Sequence, residues 1–302
     1  VTATPEMAEF LDEEFLRKLE QLRMLARRGI KGPAKGEHRS WRSGGSLEFL
    51  DYRRYQAGDD FRYVDWNVYG RLDRLFLKLF QSEEDLTVHV LLDRSRSMGA
   101  GRPNKFLHAQ RIAAALAYIA LANLDRVGLY TFDDGLRAGR PPERGRQAYA
   151  GLIRDLVGLK PEGRTDVSAC LSAYAQTVRR PGVVVILSDL MDPQGCEAGL
   201  SALAQRRFDV ALIQVLDSEE IAPTASGLTT LREMETGQTR KLTLDPALLE
   251  AYRRRADEWL AGIRAACLKT GADYALAETR LPFEEFLLSY LSAGRIFGRK
   301  RG

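Results

Sequence analysis

Cysteine and histidine are both scarce, with three of each in 302 residues. Cys170, Cys196 and Cys267 are odd in number, widely spaced and never arranged as C-x-x-C. That excludes a disulfide framework and a thiolate zinc site as the organising principle, and it leads to the expectation of a reducing compartment. Each thiol is expected to be a small buried side chain. His38, His89 and His108 form no H-E-x-x-H pattern, and His89 falls inside an apolar run where a structural role is expected. Long hydrophobic runs are missing too. The best candidate, Ile112–Leu124, is shorter than the ~18 residues of a membrane-spanning helix and follows Lys105, His108 and Arg111. The opening residues, with Glu6, Glu9 and Asp12 close behind Pro5, lack the pattern of a signal peptide, so a cytoplasmic chain is expected. No strong charge bias exists either. Lys and Arg total 45 against 41 Asp and Glu, and a formal charge of +4 is too mild to argue for nucleic acid by itself. Walker A and G-x-S-x-G sequences are absent, which removes P-loop nucleotide chemistry and the nucleophile elbow.

What is present is an ordinary globular balance, 45% hydrophobic and 28% charged, enough to bury a sizeable core. Residues 5–28 carry Phe10, Phe15, Leu16, Leu19, Leu22 and Leu25 at helical spacing, and Gly29, Gly32 and Pro33 end the pattern. Strand character follows over 46–55 and 75–80, with 56–74 expected to be irregular. From 86 onward apolar runs alternate with helical patterns. Strands are expected at 86–92, 127–132, 183–187, 210–215 and 274–277. Helices are expected at 105–123, 147–157, 167–178, 196–205, 246–269 and 283–290, with a hairpin over 227–241. This alternation predicts a doubly wound α/β fold, a mostly parallel sheet flanked by helices, with a small N-terminal helix and β extension. The uninterrupted run Val183–Leu187 suits a central strand covered on both faces. In such sheets ligands bind outside the carboxyl ends of the strands.

Three polar clusters fall where that rule looks. They are Asp93-Arg94-Ser95-Arg96-Ser97 after the first core strand, Gly163-Arg164-Thr165-Asp166 before a helix, and Ser188-Asp189 after the central strand. Alone, the first cluster reads better as a helix cap at Asp93 and a turn shaped by Ser95 and Ser97. Taken together, Asp93, Ser95, Ser97, Thr165 and Asp189 resemble the metal-ion-dependent adhesion site of von Willebrand factor A-type (vWA) domains, a three-part pattern of Asp-x-Ser-x-Ser, a distant Thr and a distant Asp. The resemblance implies a divalent cation, Mg²⁺ first and Mn²⁺ or Ca²⁺ as alternatives. Ser95 and Ser97 would coordinate directly, Thr165 directly or through water, and Asp93 and Asp189 largely through water. Mg²⁺ favours about six oxygens and gives up water reluctantly, so hydroxyls with one or two carboxylates suit it. So few direct negative ligands would leave the ion able to take a carboxylate from a protein partner. Arg94 and Arg96 stand where many vWA domains have small residues. An outward orientation is expected of both, and it would favour an acidic partner.

Ahead of this region stands an ordered block. It runs from His38-Arg39-Ser40 through Gly44-Gly45-Ser46-Leu47-Glu48-Phe49, Asp51-Tyr52-Arg53, Gly58-Asp59-Asp60 and Asp65-Trp66-Asn67 to Arg71-Leu72-Asp73-Arg74-Leu75 and Glu83-Glu84-Asp85. Together with the site it closely resembles the bacterial family called domain of unknown function 58, over about residues 29–292. The resemblance implies work beside a MoxR-type AAA+ ATPase, with this chain as an adaptor. Read from composition, the block interleaves arginines with Tyr52, Tyr55, Phe61, Tyr63, Trp66 and Tyr69. A satellite core ranks first, a protein interface second and nucleic-acid binding third, because the interleaved acids would repel phosphate. The expected division is 1–84 for the helix and extension, 85–294 for the vWA-like domain and 295–302 for a solvated basic tail. A non-enzymatic protein-binding module is expected. The enzymatic rival, a Mg²⁺-dependent phosphohydrolase, needs a second Asp where Ser95 stands.

Overall fold

The computed structural model describes residues 10, 13–29, 47–56, 59–82, 86–232, 234 and 237–293. The start of the first helical pattern, His38–Ser46, Glu83–Asp85 and the basic tail lie outside the described residues. The chain divides into two compact units. One contains residues 1–34 and 86–299, and the other contains 35–85 with the last three residues.

The larger unit is built on a six-stranded sheet. Its strands are β3 (Thr87–Asp93), β4 (Arg126–Phe132), β5 (Leu136–Glu143), β6 (Val183–Ser188), β7 (Asp209–Leu216) and β10 (Asp273–Glu278), in the order β10-β7-β6-β3-β4-β5, while β8 (Gly227–Arg232) and β9 (Thr239–Leu244) pair as a separate hairpin. All neighbours in the six-stranded sheet pair in parallel except β4 and β5. Val183-Val184-Val185-Ile186-Leu187-Ser188 is buried at every position, as a central strand between two helical layers must be. One face carries α3 (Lys105–Ala122), an Ala-rich helix buried nearly all round, with α4 (Gly145–Gly158) and α9 (Phe283–Ser292). The other carries α5 (Val167–Thr177), α6 (Glu197–Gln205) and α8 (Pro246–Thr270), where Leu171, Tyr174, Leu200, Leu203 and Ile263 pack on the strands. The start and stop chemistry is local. Asn104 and Asp245 cap α3 and α8, Pro246 opens α8, and Gly271 closes it in the left-handed region at φ 73°.

Two expectations need correction, and one strand had no counterpart in the sequence reading. The helix α1 (Glu13–Gly29) belongs to the α/β unit, not to the extension, so the boundary at 84 does not hold for it. Its Phe15, Leu19 and Leu22 are buried in the same cluster as Phe283 and Leu287 of α9. The Phe15 and Phe283 rings lie 5.2 Å apart, and Lys18 bridges to Glu284 at 2.6 Å. An apolar helical stripe must be buried, but periodicity does not name the surface that buries it. The unforeseen strand is β5, whose Gly139, Pro141 and Pro142 argue against a strand. It survives as an antiparallel edge with two register shifts, the position where proline is tolerated. Finally, within the expected irregular stretch 56–74 lies a short helix, α2 (Trp66–Leu72).

In the smaller unit, β1 (Leu47–Arg54) and β2 (Phe76–Ser82) form an antiparallel pair with an irregularity between Phe49 and Asp51. The acids of the block do structural work. Asp65 caps α2 through Asn67 N–H and accepts from the Tyr52 hydroxyl at 2.9 Å, Asp59 holds Arg53 at 2.7 Å, and Asp60 pairs with Arg62. Tyr55 stacks on Phe61. Leu77 and Val64 are buried, so the block contains a small satellite core.

Candidate metal centre

Strand order locates the crevice. The chain leaves β3 for β4 on one side and later returns through β6 on the other, so the switch point falls between β3 and β6. Leu92 is in register with Leu187, which sets Asp93 beside Ser188 at the carboxyl ends of both strands. The Ser188 hydroxyl donates to Asp93 Oδ2 at 2.6 Å, and Ser95 N–H donates to Asp93 Oδ1 at 2.8 Å. Leu190, held in the left-handed region at φ 57°, donates its N–H to Ser188 Oγ at 2.9 Å. A leucine in that conformation costs energy. The turn it makes brings Asp189 back over the strand end, where Asp189 Oδ1 accepts from Met191 N–H and Oδ2 receives the Lys105 ammonium at 2.7 Å.

Asp93, Ser95 and Asp189 are fully buried and Ser97 nearly so. The Ser95 and Ser97 hydroxyl oxygens stand 3.0 Å apart. Two ligands at ~2.1 Å on adjacent corners of an octahedron would be about 3.0 Å apart, so these hydroxyls fit one edge of a Mg²⁺ shell. Burial, and after it the charge of Asp189, pushes the Asp93 carboxyl up to about 7, against hydrogen bonds from Ser188 and Ser95. Two buried carboxylates that repel one another fit a cation. Among the described residues no three His, Cys, Asp or Glu side chains gather in metal-holding geometry. A site here therefore draws on hydroxyl oxygens, a donor set suited to Mg²⁺ and unsuited to zinc.

Thr165 is carried on a loop tied down at several points. Glu162 N–H donates to Arg94 O, Arg96 N–H to Gly163 O and Asp166 N–H to Asp133 O. Gly163 takes φ +78°, and a Cβ there would meet the Asp133 side chain at 3.1 Å, so the approach requires glycine. Beyond Thr165, Val167 N–H donates to Asp192 Oδ2 at 2.9 Å, joining the start of α5 to the loop after β6. The Thr165 loop is thus bonded on one side to the Asp93 loop and on the other to the Asp189 loop.

The arginines divide. Arg96 is exposed, as expected. Arg94 is not turned outward but runs sideways, contacting the buried Asp133 at 3.5 Å and pairing with Glu162. Asp133 also receives Arg137. Burial raises the Asp133 carboxyl, but hydrogen bonds from Arg137, Asp134 and Gly135 N–H, with the Arg137 charge, together leave it below its ordinary value. Arg94 is thus paired with neighbouring acids. Sequence reasoning missed Lys105, Asp133, Asp192 and Glu220, and it named Ser188 without giving it a role. Only Ser188 had a visible signal, its place beside Asp189 at a strand end.

The molecule so described is an α/β domain with a mostly parallel sheet and a buried acidic–hydroxyl crevice at its switch point, an architecture consistent with the vWA-like fold. The chain belongs to the family described as "Protein of unknown function DUF58", whose profile matches residues 51–260. That span is narrower than the resemblance over 29–292. An uncharacterized protein of Mycobacterium tuberculosis strain H37Rv is 27% identical over 266 residues, covering 86% of this chain and 84% of its own. Among solved structures, an aerotolerance-related membrane protein from Bacteroides fragilis is 16% identical with a TM-score of 0.45, covering 69% of this chain and 96% of its own. BatB from Bacteroides thetaiotaomicron is 14% identical with a TM-score of 0.43, covering 69% and 98%. No helix among the described residues is long and apolar enough to cross a membrane.

Proposed function

We propose that this chain is a non-enzymatic, divalent-metal-dependent protein-binding module acting in the cytoplasm as an adaptor for a MoxR-type AAA+ ATPase. The observation that carries the reading is the pair of buried hydroxyls, Ser95 and Ser97, 3.0 Å apart beside the buried carboxylates Asp93 and Asp189. Ser95, Ser97 and Thr165 would supply hydroxyl ligands, and Asp93 and Asp189 would act through water and through the hydroxyls they orient. A bound Mg²⁺ would supply a Lewis-acidic position able to accept a carboxylate from the partner. The residues around it prepare that exchange. Asp93 fixes the Asp-x-Ser-x-Ser turn through Ser95 N–H, and Ser188 holds Asp93 in place. Arg94 is engaged by Asp133 and Glu162, so its charge is already balanced by neighbouring acids.

A phosphohydrolase is the weaker reading. Asp93 has both oxygens engaged as acceptors, and the acid–base position two residues on holds Ser95. The nucleic-acid reading of the N-terminal block loses support because Asp59 and Asp60 stand among its arginines as ion-pair partners.

The test is calorimetric titration of Mg²⁺ and Mn²⁺ into the wild type and Asp93→Ala, repeated with the MoxR-type ATPase of the same organism. Metal binding and ATPase binding that are both lost in the variant are expected. ATPase binding that is indifferent to chelator and to Asp93→Ala would refute the metal-bridged adaptor.

A further inference from the structure

Lys105 is the first residue of α3, and its side chain is completely buried. Lysine is among the residues least often fully buried, because dehydrating an ammonium is costly unless it is paired. This one is paired twice. It donates to Asp189 Oδ2 at 2.7 Å and to Glu220 Oε1 at 2.6 Å, reaching carboxylates 84 and 115 positions away in sequence. Glu220 lies on the short helix α7 (Ser218–Ile221) after β7. Its position is fixed, since Oε2 accepts from Asp217 N–H and its backbone carbonyl accepts from the Tyr252 hydroxyl. Asp217 in turn receives Arg102 N–H, from the segment leading into α3. Lys105 therefore cannot swing away without breaking a set of bonds that closes over it. Of the two buried carboxylates of the crevice, its ammonium holds Asp189.

We infer that Lys105 is the resident cation of the crevice. It occupies one oxygen of Asp189, supplies part of the positive charge the acidic pair requires, and so sets how weakly or tightly the site takes a divalent ion. This rests on the metal-site reading above. An ion placed against Asp189 meets an ammonium already seated on the same carboxylate, and two cations on one carboxylate repel. In the ion's absence the same ammonium keeps Asp189 and Glu220 from standing buried and unpaired, which holds the crevice together. The fold is thereby made independent of metal, and metal binding is made reversible. Glu220 is the positioning partner, taking the second contact of the ammonium.

Two variants of the full chain test this. Lys105→Met removes the charge and keeps the length. Lys105→Met/Glu220→Gln also removes the counter-charge, so the balance at Glu220 is kept and folding is protected. Calorimetric titration with Mg²⁺ and thermal melts in EDTA and in saturating Mg²⁺ are the readouts. The double variant is expected to bind Mg²⁺ roughly tenfold tighter than the wild type or better, as one relieved charge repulsion allows. Lys105→Met alone should melt lower in EDTA and be restored by Mg²⁺ by more degrees than the wild type gains. If the folded double variant binds Mg²⁺ no tighter than a wild type that does bind it, Lys105 is not the resident cation, while the metal-site reading stands. If the wild type binds none and the double variant does, Lys105 fills the site alone and the metal-dependent reading of the wild type fails. If neither binds, both fail.

Discussion

Replacing Asp93 by Asn in chelated protein should make the fold more stable, although it removes a proposed metal ligand. Asp93 is fully buried, and its folded carboxyl stands at about 7 against 3.8 for a free carboxyl, through burial first and the Asp189 charge second. A carboxyl raised on folding binds its proton more readily in the native state. Its ionisation therefore penalises folding, not at all below about pH 4, increasingly as pH rises, and fully above about pH 7. Three pH units at ~1.4 kcal/mol each put the full penalty at about 4 kcal/mol. Asn offers one acceptor oxygen where Asp93 engages two, so the Ser188 hydroxyl or the Ser95 N–H is left unpaired at a cost of about 1–3 kcal/mol. A net gain of about 1–3 kcal/mol remains at pH 8, or roughly 4 °C in melting temperature for a unit of this size. The assay is a pair of thermal melts in EDTA at pH 8 and pH 5. The gain should appear at pH 8 and shrink at pH 5, where the wild type is itself protonated. A variant that melts below the wild type at pH 8 in EDTA would refute the account of a crevice strained by like charge.

His89 is buried against Tyr174 and Phe208, and burial holds its imidazole down at about 4. The unfolded histidine takes up its proton near 6.5 and the folded one does not. Stability is therefore complete above pH 6.5 and falls between 6.5 and 4, by about 3 kcal/mol at ~1.4 kcal/mol per unit, readable by urea unfolding against pH and flattened in His89→Gln. Asp125, raised to about 6 by burial, should stabilise the fold when changed to Asn at pH 8 and lose that gain by pH 4. Its partial exposure limits the gain to about 1 kcal/mol, measured by chemical denaturation. Asp192→Ala removes the partner of Val167 N–H and should cost about 1–2 kcal/mol. The same variant should weaken Mg²⁺ binding in calorimetry, because the Thr165 loop loses its anchor to the Asp189 loop; unchanged affinity would show that the anchor has no part in the site.

Much of the core was legible along the chain. The β-branched run 183–187 could only be a strand buried on both faces, and it is. The α/β alternation set the fold class, and with it came the rule that Asp93 and Ser188-Asp189 should stand at strand ends. Local chemistry carried these, since side-chain periodicity, caps and turn residues act over a few neighbours. Strand order was not legible, because a parallel crossover can enter on either side of β3, and packing alone decides it. Nor could periodicity say that α1 lies against α9, or that the proline-bearing 136–143 segment forms an edge strand. The electrostatics of the crevice were the least legible of all. Arg94 had two ways to point, and the pull of Asp133 and Glu162 chose between them. Lys105 looked like the opening residue of an ordinary helix. It became the counter-ion of Asp189 and Glu220 only when the sheet brought three distant segments to one end, where the absence of water makes each charge seek a partner.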